Sequence, residues 1–140
     1  MSRNDSISIR LYEEADICAL IEGMSQAGWT LIRECHFTVL PVGDKDDYNW
    51  SCQFGNITAL QGYVSKKLAA REEVGIQMFW QETDEYLLMR TRAGLEFDFE
   101  ICEKKYLNKS YYQLDLNMYF SRLLPCFETN SIEMMAYLQL

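Results

Sequence analysis

The chain has 140 residues, 49% of them hydrophobic and 14% aromatic, with 21 acidic against 13 basic side chains and a formal net charge of −8. That composition excludes a disordered polymer, and the length suits one domain that buries roughly two thirds of its unfolded surface. An acidic surface repels phosphate backbones and anionic lipid, so neither nucleic acid nor a membrane is an expected partner.

Alternation opens the chain: Ile7, Ile9 and Leu11 predict a strand over 6–12, and Ile17, Leu20, Ile21 and Met24 predict a helix over 13–27, stopped by Gly28. Period two returns over 29–40, where Trp29, Leu31, Arg33, Cys35, Phe37 and Val39 share a face. Pro41-Val-Gly-Asp-Lys-Asp-Asp is a polar turn, and Tyr48, Trp50, Cys52 and Phe54 mark the next strand. Asn56 caps a helix over 57–72 with Leu60, Val64 and Leu68 on one stripe.

Strands follow at 74–81, 85–92 and 94–102. A three-residue connection, Arg92-Ala93-Gly94, joins the last two and pairs Thr91, Met89 and Leu87 with Leu95, Phe97 and Phe99, and Arg90 with Glu96. A two-residue loop would instead set both arginines beside phenylalanines. Beyond a connection rich in base and tyrosine (Lys104, Lys105, Tyr106, Lys109, Tyr111, Tyr112), the pattern admits two readings. Leu114, Leu116, Met118 and Phe120 alternate as in a strand, while Leu116, Tyr119, Phe120, Leu123, Leu124 and Phe127 better fit a helix capped by Asp115 and ended near Pro125. Ser131 is the expected cap of a short terminal helix. The order β-α-β-β-α-β is that of a split βαβ unit. With the hairpin and a C-terminal helical segment it predicts a single α+β domain over 1–140, one mainly antiparallel sheet with helices on one face.

No apolar run approaches the roughly 20 residues of a membrane span, and the opening MSRNDSISIRLYEEAD lacks the core and cleavage site of a signal peptide. The five cysteines (Cys18, Cys35, Cys52, Cys102, Cys126) are odd in number and form no CxxC pair, as expected of free thiols in a reducing cytoplasm.

Catalytic patterns are missing. The one histidine, His36, lies on the polar side of its strand with Glu34 and Thr38, whereas Cys35 points to the other face, so the neighbours make no nucleophile pair. A solvated strand histidine is the expectation. Scattered cysteines and one histidine do not supply a zinc site. Asp44-Lys-Asp46-Asp47 begins like a calcium loop, but Asn49 stands where its glycine belongs. No glycine-rich phosphate loop and no GxSxG elbow is present. The chain is therefore expected to be no enzyme and to need no cofactor.

What remains is charge beside aromatic surface. In Gly-Leu-Glu-Phe-Asp-Phe-Glu-Ile-Cys (94–102), alternation puts Leu95, Phe97, Phe99 and Ile101 on one face and Glu96, Asp98 and Glu100 on the other. The result is an acidic stripe roughly 13 Å long. With the acidic turns at Asp44, Asp46, Asp47 and at Asp84, Glu85, Tyr86, these are the candidate partner-binding residues, and the partner they suit is a basic protein.

In size, acidity, aromatic strands and absence of catalytic motifs the chain resembles the immunity proteins of bacterial polymorphic and contact-dependent inhibition toxins. The resemblance is one of type and assigns no individual residue. It implies a protein that binds a cognate toxin, often a basic nuclease, and covers its active site. Two other classes fit the same composition: a secretion chaperone of the type III kind, usually a homodimer holding an effector segment in apolar grooves, and a small enzyme or ligand-binding domain with a deep pocket.

Overall fold

The structure is a computed structural model and describes residues 5–45, 47–102, 106–108 and 113–139. Asp46 and most of the basic, tyrosine-rich connection, including Lys104, Lys105, Lys109, Tyr111 and Tyr112, lie outside the described residues.

In chain order the elements are β1 (Asp5–Leu11), α1 (Ile17–Gln26), β2 (Trp29–Thr30), β3 (His36–Val39), β4 (Ser51–Phe54), α2 (Ile57–Ala69), β5 (Val74–Trp80), β6 (Tyr86–Thr91), β7 (Glu96–Ile101), β8 (Tyr106–Asn108), β9 (Gln113–Leu114), α3 (Leu116–Leu123), a 3-10 turn (Leu124–Phe127) and β10 (Ile132–Gln139). The fold is α+β. One eight-stranded antiparallel sheet runs β10-β1-β7-β6-β5-β3-β4, with β2 beside β5, and β8 and β9 form a separate pair. Because β3 is antiparallel to both β4 and β5, β4 and β5 run the same way with β3 between them. The segment β4-α2-β5 is thus a split βαβ unit.

Period-two alternation sends Ile7, Ile9 and Leu11 of β1, Phe97, Phe99 and Ile101 of β7, Leu87 and Met89 of β6, and Val74, Ile76 and Met78 of β5 into one core, all nearly inaccessible. Leu20, Ile21 and Met24 of α1, Leu60 and Val64 of α2, and Tyr119, Leu123 and Phe127 close the core from the helical side. Each helix begins where a side chain satisfies its first free N–H groups: Asp16 for α1, Asn56 for α2 and Asp115 for α3. The α-helix α3 gives way to the 3-10 turn just before Pro125.

Four expectations are corrected. First, the strand expected over 29–40 is broken. Ten residues separate Trp29 from Val39, but only four separate their partners Trp80 and Ile76 on β5. The surplus forms a tight turn closed by reciprocal Arg33–His36 backbone hydrogen bonds of 2.8 and 2.9 Å, with Glu34 at φ 50° and Cys35 at φ 61°, the left-handed pair of a type I′ turn. Arg33 and Cys35 therefore leave the buried face and are exposed. Second, β4 turns Cys52 and Phe54 outward, Phe54 being 77% exposed, because Gln53 and Ser51 stand opposite the buried Phe37 and Val39.

Third, the β6–β7 hairpin has the expected faces but a register two residues longer: Arg90 stands opposite Asp98, not Glu96, and Thr91 opposite Phe97. Leu95 is drawn off the hairpin because its carbonyl accepts the Leu11 N–H at 2.8 Å, and Gly94, at φ +80°, sits so close to Ala15 that a Cβ would lie 2.6 Å from its carbonyl oxygen. Fourth, residues 132–139 form no helix. Met, Ala, Leu, Glu and Gln favour helix locally, but β1 offers an unpaired edge and the segment takes it with seven residue pairs from Asp5↔Gln139 to Leu11↔Ile132.

Candidate partner-binding face

Inward packing of Phe97 and Phe99 on Phe127, with centroids at 5.3 and 6.2 Å, forces Glu96, Asp98 and Glu100 onto the outer face, away from the helices. On one side β1 sets Arg10, Ser8 and Ser6 opposite them; on the other β6 sets Arg90 beside Asp98 and Leu88 beside Glu100. Ser8 Oγ donates to Glu96 at 3.4 Å. The flanking arginines turn elsewhere: Arg10 pairs with Glu133 at 3.8 Å, and Arg90 with Glu73 at 3.8 Å. Among the described residues, the side chains of Asp98 and Glu100 have no hydrogen-bond or ion-pair partner, although both are half-buried.

Arg90 links the stripe to the 41–50 loop. The loop holds three residues in the left-handed region, Gly43 at φ 87°, Lys45 at 52° and Tyr48 at 55°; glycine takes it freely, but the strain at Lys45 and Tyr48 persists only where the surroundings over-determine it. Here they do. Lys67 on α2, 3% exposed, donates to the Pro41 carbonyl at 2.8 Å and pairs with Glu72 at 3.3 Å. Both Glu72 oxygens accept the Gly43 N–H, at 2.9 and 2.7 Å. Asp44, buried, accepts the Tyr48 and Asn49 N–H groups at 2.8 and 3.0 Å. The loop lies on the sheet because Gly75 of β5 has no side chain: a Cβ there would meet Leu40 at 2.6 Å and Trp50 at 2.8 Å. The result is Tyr48 over the Arg90 guanidinium at 4.9 Å, its hydroxyl donating to Glu73 at 3.1 Å. Burial first, and then the Glu73 carboxylate, raise the Tyr48 pKa, so the phenol stays protonated.

The third group lies at the opposite end of β6. Asp84 reaches Arg33 at 3.2 Å, and Glu85 reaches Arg122 of α3 at 2.8 Å. Arg122 stacks on Trp80 at 4.7 Å and its carbonyl accepts Trp29 Nε1–H at 2.9 Å, while Tyr86 packs on Phe79. Glu85 thus ties the sheet to α3.

The structure therefore gathers Glu96, Asp98 and Glu100 with the loop that carries exposed Asp47 and Tyr48, and leaves Asp84, Glu85 and Tyr86 apart. Asp44 faces inward as the organiser of the loop. Sequence reasoning passes over Lys67, Glu72, Glu73 and Arg90 as parts of this site. The single legible signal is Lys67, which falls on the apolar stripe of its helix between Val64 and Leu68.

Other potential chemistry is sparse. His36 is exposed, with Nδ1 2.8 Å from the Glu34 carbonyl oxygen. Among the described residues no three His, Cys, Asp or Glu side chains come together as metal ligands, and no helix is long and apolar enough to cross a membrane. Two grooves flank α1: a polar one of about 490 Å³ against the 3-10 turn, lined by Asp16, Glu22 and Glu128, and an apolar one of about 570 Å³ at Trp29, Leu31, Ile32 and Ile57.

No family model, no curated protein and no solved structure matches this chain. Fold and site define an α+β domain with one antiparallel sheet, helices on one face, and a carboxylate row beside an anchored aromatic loop on the other.

Proposed function

We propose that the protein is a binding module for a basic protein, and that it serves as an immunity protein that neutralises a cognate nuclease-type toxin in the cytoplasm by covering its active site, with no catalysis of its own. One observation carries the reading: among the described residues Asp98 and Glu100 stand half-buried without partners, while Arg10 and Arg90 beside them pair elsewhere. Carboxylates placed this way offer a basic groove the charge it otherwise finds on phosphate, and steer its approach. Tyr48, held by its loop, is the aromatic anchor. The same surface charge disfavours nucleic acid and anionic membrane as partners.

A second reading is favoured by the apolar groove at Trp29, Leu31, Ile32 and Ile57. It suits a secretion chaperone that holds an effector segment.

Capture from the native cell separates the two. The bait is wild-type protein beside a Glu96→Gln/Asp98→Asn/Glu100→Gln variant and an Ile32→Asp variant. The immunity reading expects a basic protein retained by wild type and Ile32→Asp and lost from the triple variant. Loss from Ile32→Asp alone would overturn it in favour of the chaperone.

A further inference from the structure

Arg90 stands between two carboxylates. Its cross-strand neighbour on β7 is Asp98, and opposed residues in a sheet lie about 5 Å apart at Cβ, well inside the reach of an arginine side chain. The guanidinium nevertheless turns the other way. It pairs with Glu73 at 3.8 Å and covers the Tyr48 ring at 4.9 Å, while the Tyr48 hydroxyl donates to Glu73 at 3.1 Å. Three side chains close a triangle, and none of them belongs to the acidic row. On that side the neighbour of Arg90 is Gly75 of β5, whose bare Cα lets Leu40 and Trp50, and with them the loop, lie on the sheet within its reach.

Burial decides which carboxylate holds the arginine. The Arg90 and Glu73 side chains are 26% and 13% exposed, against 45% and 46% for Arg10 and Glu133, the pair at the other end of the row. An exposed pair is screened and contributes little, whereas a partly buried one faced by an aromatic ring keeps its arginine.

We propose that Glu73 and Tyr48 are positioning residues of the binding face: they hold Arg90 against the loop, and so keep Asp98 bare for a basic partner. Without the Glu73 charge, Arg90 turns across to Asp98, and the middle of the row is neutralised by the protein's own arginine. The inference rests on the reading of Asp98 and Glu100 as partner-binding residues. It adds that the 41–50 loop, beyond presenting Tyr48, sets the charge the partner meets.

The side-chain Nε–H signal of Arg90, followed by NMR, tests the placement with no partner present. In wild type Asp98→Asn should leave that signal where it is; in a Glu73→Gln or a Tyr48→Leu background Asp98→Asn should shift it. An oligolysine peptide at low ionic strength, followed at the backbone amides of Asp98 and Glu100, tests the consequence. Glu73→Gln should weaken its binding about threefold. Glu128→Gln makes the same charge change in the polar groove beside α1 and should weaken it less. Arg90→Gln added to Glu73→Gln should restore wild-type affinity, and Lys66→Gln, an equal charge change on α2, should not. A peptide that leaves Asp98 and Glu100 unmoved in wild type would overturn the binding reading and this inference with it. An Arg90 signal blind to Asp98 in Glu73→Gln, a Glu128→Gln effect as large as that of Glu73→Gln, or a loss of affinity that Arg90→Gln does not restore would overturn the inference alone.

Discussion

Lys67 Nζ lies 3.3 Å from Glu72 Oε2, and the lysine is 3% exposed. A charge is buried there only because both ends are fully used: Lys67 also reaches the Pro41 carbonyl, and Glu72 grips the Gly43 N–H with both oxygens. The pair ties helix α2 to a loop that would otherwise relax out of its left-handed residues, and it thereby fixes where Tyr48 stands.

Removing one partner leaves the other buried and uncompensated. Lys67→Met should therefore cost about 3 kcal/mol in urea unfolding. It should also loosen the loop, seen as lost protection from hydrogen exchange at Tyr48 and Asn49. A change of about a few tenths of a kcal/mol, the size expected of an exposed pair, would show that the pair does not hold the loop.

Gly75 tests the other side of the same loop. An added Cβ would meet Leu40 at 2.6 Å and Trp50 at 2.8 Å, and Leu40 is fully buried. Gly75→Ala should destabilise by about 1–3 kcal/mol through overpacking and shift the emission of Trp50. Unchanged stability and emission would mean the loop does not rest on β5.

The thiols give a pH signature. None of the five cysteines is in a disulfide, and burial pushes Cys126 from 9.0 up to about 12. The folded state thus holds this proton more tightly than the unfolded chain. The stability it contributes is complete below the ordinary thiol value and is lost as pH rises toward about 12. Between about pH 8 and pH 10 wild type should lose stability faster than Cys126→Ala, by at most about 1.4 kcal/mol per pH unit. Equal slopes would contradict the assignment. In native protein a thiol reagent should label exposed Cys35 and Cys52 quickly, and Cys126 only after unfolding.

How much of this is legible in the sequence depends on where each constraint resides. The faces of β1 and β7 are plain because Ile7, Ile9, Phe97 and Phe99 alternate with polar residues, and Asn56 and Asp115 announce their helices through local hydrogen bonding. The break at Glu34 and Cys35 is not, because that turn is written without glycine or asparagine, the residues that normally mark it. Nor is β10, whose local preference is overridden by the free edge of β1. The acidic row is visible, but its register against Arg90 depends on Leu95 bonding to β1, a contact between distant parts of the chain. For the site as a whole, the carboxylates can be read and most of their supports cannot: only the place of Lys67 on the apolar stripe of its helix hints at burial, and nothing local marks Glu72, Glu73 or Arg90 as its companions.

In the proposed function the outer face steers a basic partner through Glu96, Asp98 and Glu100. Its most direct test is the stopped-flow association rate with the basic protein retained in the capture experiment, at low and high salt, for wild type and Glu96→Lys/Asp98→Lys/Glu100→Lys. The wild-type rate should fall steeply with salt, since long-range attraction is screened over about 8 Å at physiological ionic strength. The triple variant, still folded by circular dichroism, should associate at least about tenfold more slowly at low salt and lose that salt dependence. Equal rates for the two proteins at low salt would contradict steering by these three carboxylates.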